Sequence, residues 1–277
     1  MSQVKTLALV TGGSRGFGVA ICEQLAKKVE NIDFSLYARS QQGLESTEKL
    51  IKQIKPSANV NLFVADFGDI ASLQSVWSQS LKKVNFSEYQ RVWLFNNHGS
   101  LGPITNVSEY VFNSFLIFID MDQDHLSNFK EIESEITLNV TSVFVTSSLF
   151  LKEIKSVSTP IETSVINTSS LAAIQPFDTW GIYCVGKAAR EMLLSVITAE
   201  CKDTPNIKTL NWSPGAMGTD MNKEILVKTK DEGSKQFWED MIKNNKLVDP
   251  NFSAGKMIDL LISNTYTSAA HIDVADA

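Results

Sequence analysis

Apolar and polar positions along this chain follow two rhythms. Runs of four to six mostly apolar residues, bounded by turn-forming residues, are typical of strands buried on both faces of a parallel sheet. Longer stretches with amphipathic spacing are typical of helices that pack on such a sheet. Strands are predicted at residues 6–10, 34–38, 60–65, 92–95, 164–168, 207–212 and 271–274. Their alternation with helical stretches predicts an α/β fold: a single doubly wound domain over residues 1–277, with a mostly parallel seven-stranded sheet and helices on both faces.

Helices are predicted at residues 19–28, 42–55, 125–155, 183–200 and 254–262. Two further stretches are less regular. Residues 103–124 are rich in aromatic residues and end in an acidic group, which fits either a helix with a capped turn or a loop over the sheet edge. Residues 220–248 are polar with scattered apolar positions, which predicts a mobile segment that covers a binding site.

A glycine-rich turn directly follows the first predicted strand. Gly12, Gly16 and Gly18 lie between that strand and the first helix, in the order that opens a dinucleotide-binding (Rossmann) unit. Glycines allow a tight turn and let backbone N–H groups approach a pyrophosphate at the helix N-terminus. The spacing is wider than the common G-x-G-x-x-G, so the turn predicts a dinucleotide only together with its strand and helix.

The end of the second strand bears on which dinucleotide is bound. A protein that binds NAD commonly places Asp or Glu there, on the ribose 2′-hydroxyl. This chain has Arg39 and Ser40 instead, with Ser14 and Arg15 in the glycine turn. Because guanidinium groups match phosphate oxygens, we predict NADP(H), with its 2′-phosphate at these residues. The alternative is that both arginines are ordinary solvated surface residues.

Polar residues also follow the third and fifth strands. Asp66 and Phe67 come after the third strand, where they could bracket an adenine. Ser170 follows the fifth strand, with Tyr183 thirteen residues later and Lys187 four residues after that. A tyrosine and a lysine four apart share one helix face, and with the serine they could move a proton to or from a carbonyl oxygen. By itself, such a pair usually marks only a helix surface.

Composition narrows the class of protein. Of the 277 residues, 43% are hydrophobic and 20% charged, which is typical of a soluble globular chain. The net charge of −6 argues against general nucleic-acid binding, which needs a basic face. The three cysteines form no disulfide framework and are expected to be reduced. Without a recognisable signal segment or an apolar run of membrane-spanning length, we predict a soluble cytoplasmic protein with no membrane, nucleic-acid or metal partner.

Taken together, the motifs resemble the short-chain dehydrogenase/reductase family. They are Thr11-Gly12-x-x-x-Gly16-x-Gly18, Asn96-Asn97-x-Gly99, Asn139, Ser170, Tyr183-x-x-x-Lys187 and Pro214-Gly215, in that order over nearly the whole chain. The resemblance implies an oxidoreductase in which Tyr183 donates a proton to a substrate carbonyl held by Ser170, while hydride arrives from the nicotinamide. It also implies that Lys187 lowers the pKa of the Tyr183 phenol, and that Asn139 supports a water that connects Lys187 to solvent.

The resemblance further implies which residues bind the cofactor. They are Gly12, Ser14, Arg15, Gly16, Phe17, Gly18, Arg39, Ser40, Asp66, Phe67, Asn97, Tyr183, Lys187, Met217, Thr219 and Met221. In this family the helices around residues 139–151 and 187–200 pair across a two-fold axis, which implies a homodimer. One departure is His98, which replaces a small residue near the adenosine ribose. We interpret His98 as a tolerated local variation rather than an added catalyst.

Longer stretches resemble one branch of the family, which reduces side-chain carbonyls of 6-substituted pterins in tetrahydrobiopterin biosynthesis. These stretches are residues 99–102, 169–177, 183–190, 219–221 and 270–273. In that branch a carboxylate near the C-terminus anchors the pterin by accepting from two parallel N–H donors. The matching residue is Asp273, and Gly215 would let the backbone approach cofactor and pterin, with Ser170 and Tyr183 at the carbonyl. We predict a pterin substrate; a general carbonyl or diketone reductase and a non-catalytic NADP-binding protein are the alternatives.

Overall fold

Seven strands form one sheet at the centre of the structure, a computed structural model. It describes residues 4–110, 123–219, 221, 225–227, 229 and 232–277, without the side chains of residues 123–128 and 234. The strands are β1 Thr6–Thr11, β2 Ile32–Ala38, β3 Val60–Val64, β4 Arg91–Asn96, β5 Glu162–Thr168, β6 Ile207–Ser213 and β7 His271–Asp273. Their order is β3-β2-β1-β4-β5-β6-β7, and every pairing is parallel. The predicted doubly wound, seven-stranded sheet is confirmed.

Helices cover both faces of this sheet. They are α1 Gly16–Lys28, α2 Gln41–Ile54, α3 Ile70–Lys82, α4 Gln123–Ile136, α5 Ser142–Ser156, α6 Gly181–Glu200, α7 Glu232–Lys243 and α8 Pro250–Ser263. In β1, Ala8 and Val10 share one core cluster with residues of α1, α2 and α8. Leu7 and Leu9 share a second cluster with residues of α3, α5 and α6. Both sets are buried because alternate residues of a strand point to opposite faces of a sheet that is covered on both sides.

The strand order places the site. From β1 the chain proceeds outwards through β2 and β3, then returns to pair β4 with the other side of β1. In open α/β sheets a ligand binds at the carboxyl ends of the strands, beside such a reversal of strand order. The glycine turn after β1 and the Asn-Asn pair at the end of β4 therefore lie next to each other.

The two irregular stretches have different outcomes. Residues 111–122 lie outside the described part of the chain, so the prediction for residues 103–124 is not decided there. Before that gap, Val107–Glu109 forms a short helical turn, and Thr105 bridges to Trp180. Residues 220–248, predicted as a mobile segment, contain the helix α7 in their described part. Trp238 of this helix is buried in a cluster with Trp180 and Tyr183.

The long helix predicted over residues 125–155 consists of α4 and α5, joined by a π-helical turn at Thr137–Thr141. Within it, Phe129–Ser156 is long and apolar enough to cross a membrane by length and composition alone, which corrects the expectation that no apolar run reaches that length. Core helices of globular proteins pass the same test. This one packs against α3 and α6, with Phe150 fully buried.

Candidate active site

The glycine turn depends on a close contact between the backbones of Gly12 and Gly18. Gly12 has φ +68°, and a Cβ on Gly18 would lie 2.1 Å from the Gly12 carbonyl oxygen, closer than any side chain permits. The side-chain amide of Asn97 donates to the carbonyls of Thr11 and Gly12 at 3.1 and 3.3 Å. Its oxygen accepts from the Thr168 hydroxyl at 3.2 Å. Asn97, predicted to bind the cofactor, thus joins the turn after β1 to the end of β5.

The four residues predicted at a 2′-phosphate lie around the start of α2. Ser40 caps this helix by accepting from the Gly43 N–H at 3.1 Å. A Cβ on Gly43 would lie 2.8 Å from that of Ser14, so the glycine turn and the helix start are in contact. Arg15 and Arg39 are exposed, and neither takes part in an ion pair between described residues. The result is a cationic corner beside a helix N-terminus, which suits a phosphate.

Of the two residues predicted to contact an adenine after β3, Asp66 is exposed and Phe67 is buried. Asp66 is exposed and accepts from the Gly68 N–H at 2.9 Å. Phe67 is only 3% exposed, and its ring stacks on the His98 ring with centroids 3.9 Å apart. A Phe67 ring packed in this way has little surface left to bracket an adenine, so Asp66 is the more accessible of the two predicted contacts.

His98 is part of the core behind the glycine turn. Its ring nitrogens lie 2.8 Å from the Thr11 hydroxyl and 2.7 Å from the Ser142 hydroxyl. Burial lowers its pKa well below the usual value, helped by the positive charges of Arg190 and Lys187. Because both ring nitrogens of His98 already have partners in the core, the ring has a packing role. This agrees with our interpretation of His98 as a tolerated local variation.

Ser170 and Tyr183 meet at the carboxyl end of β5. Ser170 begins a short helical turn, where its hydroxyl accepts from the Ala172 N–H at 3.2 Å. Tyr183 is buried in the first turn of α6, where Ser170 is close enough to affect the pKa of its phenol. Burial raises the pKa of Tyr183 to about 12, opposed by Ser170 and by the charge of Arg190. The joint action of Ser170 and Tyr183 on a carbonyl oxygen stays a prediction.

Lys187 lies one turn beyond Tyr183 on α6. Its Nζ donates to the Thr168 carbonyl at 2.6 Å and lies 5.4 Å from the centroid of the Tyr183 ring. Burial lowers the pKa of Lys187 well below its usual value, and Arg190 lowers it further. The role expected of Lys187, to lower the pKa of the Tyr183 phenol, stays a prediction.

Asn139 occupies the π turn between α4 and α5. Its side-chain oxygen accepts from the Ser100 N–H at 3.1 Å, and its amide donates to Glu135 at 3.0 Å. A π turn breaks the regular pattern of helical hydrogen bonds, and such turns are frequent at functional sites. The Asn139 carbonyl accepts from Arg190 Nε at 2.5 Å. Gly186 allows this close packing, since a Cβ there would lie 3.1 Å from the Asn139 Cβ.

The predicted substrate anchor stands at the end of β7. Asp273 pairs in register with Ser213 of β6, whose hydroxyl donates to Asp273 Oδ2 at 2.6 Å. The Ala275 N–H donates to the other carboxylate oxygen at 2.9 Å. Gly215 has φ +81°, and a Cβ there would lie 2.8 Å from a Val248 methyl group, so only glycine fits.

Three of the residues predicted to bind the cofactor, Met217, Thr219 and Met221, lie in the stretch between β6 and α7. A Thr219 methyl group comes within 3.8 Å of where a Cβ on Gly16 would be, which brings this stretch onto the glycine turn. Met217 bridges to Val248, and Met221 packs on the cluster that contains Tyr183. Phe17, the second residue of α1, is buried in the core.

Two groups near the site were missed by the sequence reasoning. Glu191 Oε1 accepts from the Ser169 hydroxyl and from His271 Nδ1, the latter at 2.6 Å, and so connects β5, α6 and β7. The match at residues 270–273 contained His271 but gave no sign of its partner. The second group is aromatic: Trp180 meets Tyr183 edge-on at 5.5 Å, and Trp238 lies parallel to Trp180 at 6.4 Å.

These features define a class of protein. A glycine turn at the reversal point of a doubly wound sheet, and a Ser–Tyr–Lys set at the carboxyl ends of its strands, are the parts of a dinucleotide-dependent oxidoreductase. Residues 6–230 match the short chain dehydrogenase family. The chain belongs to that family, whose fold binds NAD(P) and whose members act on small molecules.

Relatives and solved structures agree on the fold. The chain is 32% identical over 271 residues to the sepiapterin reductase of Mus musculus, covering 98% of this chain and 97% of the relative. It is 25% identical over 261 residues to a benzil reductase of Bacillus subtilis, covering 94% of each chain. The solved structure of an NAD⁺-bound xylitol dehydrogenase superimposes with a TM-score of 0.77 at 17% identity, covering 100% of both chains. The last likeness concerns the fold alone.

Proposed function

We propose that this protein is an NADPH-dependent reductase of side-chain carbonyls on 6-substituted pterins in tetrahydrobiopterin biosynthesis, that is, a protein with sepiapterin reductase activity. The observation that carries the proposal is the position of the Asp273 carboxylate at the edge of the sheet, where Ser213 holds it. Its strand, β7, lies two strands from β5, and Ser170 follows β5 in the chain. Similarity over 98% of the chain to a sepiapterin reductase supports the same substrate class.

Asp273 has the chemistry that a pterin anchor needs. Each of its carboxylate oxygens accepts one hydrogen bond from the protein, from Ser213 and from the Ala275 N–H. A carboxylate oxygen can accept a second bond, so both oxygens remain able to receive the parallel N–H donors of a pterin ring. Because the protein already orients the carboxylate, little side-chain entropy is lost on binding.

The proposed mechanism assigns one step to each side chain of the Ser–Tyr–Lys set. The residues of the glycine turn would hold the dinucleotide, whose chemistry would be to supply hydride to the carbonyl carbon. Ser170 donates a hydrogen bond to the carbonyl oxygen, and Tyr183 gives its proton to that oxygen as negative charge develops there. Lys187, anchored on the Thr168 carbonyl, lies beside the phenol where a proton must return after each turnover.

We propose NADP(H) rather than NAD(H) as the cofactor. The glycine turn fits a dinucleotide because it lies at the N-terminus of α1, where backbone N–H groups can face a pyrophosphate. The exposed Arg15 and Arg39, with Ser14 and the start of α2, supply cations, a hydroxyl and N–H groups for a 2′-phosphate.

The experiment compares two substrates in one assay. Asp273→Ala is expected to raise the KM for sepiapterin about 10- to 100-fold, since a charged hydrogen-bond partner is lost. It should leave kcat/KM for benzil, which has no such N–H donors, within about twofold. Asp276→Ala removes an exposed carboxylate three residues further on and serves as the matched control. Unchanged pterin kinetics in Asp273→Ala would remove the main support for this substrate.

A diketone reductase is the second candidate. The similarity to a benzil reductase and the aromatic side chains around Tyr183, namely Phe177, Trp180 and Trp238, favour it, because flat aromatic ketones pack well on such rings. A kcat/KM for benzil well above that for sepiapterin in the unmodified protein decides for this candidate. Lack of turnover on every carbonyl tested decides for a non-catalytic NADP-binding protein.

We also propose a homodimer formed by α5 and α6. Both helices carry large apolar side chains on their exposed surfaces: Phe144 is 59% exposed and Met192 65%. On α6, Val185, Met192 and Val196 lie on one face by their spacing. Light scattering should give twice the chain mass for the unmodified protein and about the chain mass for Met192→Glu. A monomeric unmodified protein would contradict this proposal.

A further inference from the structure

Glu191 of α6 holds two strand ends together through one carboxylate oxygen. Its Oε1 accepts a hydrogen bond from the Ser169 hydroxyl and another from His271 Nδ1, the latter at 2.6 Å. The Glu191 and His271 side chains are only 14% and 17% exposed, so solvent screens this contact weakly. Because both bonds end on the same oxygen, Ser169 and His271 lie close together. We call these three residues the Glu191 cluster, and none of the family motifs gives Glu191 a task.

Each donor of the Glu191 cluster stands next to a residue that the proposed function uses. Ser169 directly precedes Ser170, the proposed partner of the substrate carbonyl. His271 begins β7, and Asp273, the proposed pterin anchor, is two residues further along the same strand. Since residues two apart in a strand point to the same face, the His271 and Asp273 side chains point towards the same side of the sheet. Glu191 therefore connects the carbonyl end of the site to its anchor end.

The two strands that the cluster connects differ in how firmly the sheet holds them. β5 has seven residues and lies between β4 and β6. β7 has three residues and ends the sheet, with β6 as its neighbour, so fewer hydrogen bonds fix its position. The Asp273 carboxylate accepts from Ser213 of β6 and from Ala275, and neither contact reaches β5 or α6. Loss of the Glu191 contact should therefore move β7 rather than β5.

The orientation of the His271 ring depends on Glu191. A carboxylate oxygen only accepts hydrogen bonds, so Nδ1 of His271 carries a hydrogen. Nε2, the other ring nitrogen, is buried and has no hydrogen-bond partner among the described residues. The bond to Glu191 therefore fixes the direction in which the ring points. Its loss would leave both ring nitrogens unpaired inside the protein, a cost that favours movement of the strand towards solvent.

We propose that Glu191 is a positioning residue that fixes the Asp273 carboxylate at a set distance from Ser170. The inference rests on the proposed function, in which Asp273 anchors the pterin ring and Ser170 holds the carbonyl. The Glu191 cluster then selects substrates by the separation between their paired N–H donors and their ketone. Ketones without such donors, benzil among them, bind without the anchor and do not use this separation.

A double-mutant cycle tests whether Glu191 acts through Asp273. Glu191→Ala is expected to raise the KM for sepiapterin about tenfold and to change kcat by less than about threefold, since β7 moves while the proton-transfer residues stay. In an Asp273→Ala background, Glu191→Ala should change that KM by less than about twofold, because the anchor that it positions is already gone. Two fully additive effects would overturn the proposal. An equal fall of kcat for sepiapterin and benzil would also overturn it, since Glu191 would then act at Ser170.

Conservative and distant variants complete the cycle. Glu191→Gln keeps an oxygen that accepts two hydrogen bonds, so it should return the KM for sepiapterin to within about threefold of that of the unmodified protein. Glu200→Ala removes an exposed carboxylate at the end of the same helix and should leave this KM unchanged. If Glu191→Ala does not fold, His271→Phe takes its place, because the ring remains while the donor is lost. A Glu191→Gln variant as weak as Glu191→Ala contradicts the role given to these hydrogen bonds.

Failure of this inference can be told apart from failure of the proposed function. If the unmodified protein does not reduce sepiapterin, the proposed function fails, and the Glu191 cluster is then tested by hydrogen exchange. The Val274 N–H donates to the Ser213 carbonyl just after β7. It should exchange at least about tenfold faster in Glu191→Ala than in the unmodified protein or in Glu191→Gln, whereas amides of β5 should keep their rates. Equal exchange of Val274 in Glu191→Ala and the unmodified protein contradicts the proposed link, whatever the substrate.

Discussion

The two sides of the site are built in different ways. On the cofactor side, between β1 and β4, the shape comes from backbone: a left-handed Gly12, a Gly18 with no room for a Cβ, and carbonyls held by Asn97. On the substrate side, between β5 and β7, it comes from side chains: Ser170, Tyr183, Lys187, Arg190 and the pair Glu191–His271. The first side is set by steric limits, the second by burial and charge.

This difference decides what a substitution does on each side. Where backbone atoms shape the site, a substitution disrupts it by steric collision, and a small increase in side-chain volume is enough to cause one. Where side chains shape the site, a substitution disrupts it by removing a proton donor or a charge, even if the side-chain volume is unchanged. Two kinds of substitution therefore test this difference. One adds a methyl group on the cofactor side, and the other removes an oxygen on the substrate side.

The largest expected effect comes from Tyr183→Phe. The substitution removes one oxygen from a buried side chain and leaves the ring packed against Trp180. We expect reductase kcat to fall by at least about 10³-fold, since the proton donor is lost. NADPH binding, measured by fluorescence titration, should change by less than about threefold. Near-normal turnover in this variant would show that another group supplies the proton.

Gly18→Ala should be the most damaging small change on the cofactor side. The added methyl group would lie 2.1 Å from the Gly12 carbonyl oxygen, so the turn has to move. We expect NADPH affinity to fall by at least about 100-fold, or the melting temperature to fall by several degrees, as for other overpacking changes.

Gly13→Ala is the matched control in the same turn. A Cβ there would meet its nearest atom at 3.4 Å, an ordinary contact. Affinity and melting temperature should stay close to those of the unmodified protein. Equal loss in both variants would mean that the collision at Gly18 is not what limits the turn.

Arg39→Ala should have the smallest effect of the three. The exposed side chain contributes little to stability, so the melting temperature should not change. The KM for NADPH is expected to rise about tenfold, the loss of one charged contact to phosphate, while the KM for NADH stays the same. Equal changes for both cofactors would argue against a 2′-phosphate at this corner.

Much of the cofactor side was predictable from sequence because its signals are local. The glycine turn, Arg39 and Ser40 lie within a few residues of the strands that position them, so pattern and spacing were sufficient to place them. The helix boundaries were less well predicted. α1 begins at Gly16, inside the glycine turn, rather than at residue 19, because the turn residues themselves take up helical geometry.

The substrate side was predictable only in part. Ser170, Tyr183 and Lys187 follow from spacing on one strand and one helix. The partner of His271, eighty residues away at Glu191, does not, nor does the stacking of Trp238 on Trp180. These contacts join elements that are distant in sequence, and they form only when the complete sheet and the helix α7 are in place.

The sequence by itself determined the strand and helix rhythm, the glycine turn, the spacing of serine, tyrosine and lysine, and through them the family. Each of these depends on neighbours in the chain, whose geometry local sterics restrict. Only the tertiary structure decided which charges are buried and what they face. It placed the His98 ring in the core between two hydroxyl groups, buried Lys187 against the Thr168 carbonyl, and bonded Arg190 to the Asn139 carbonyl. Charge and pKa depend on burial and on partners far away in sequence, and these exist only once the chain has folded.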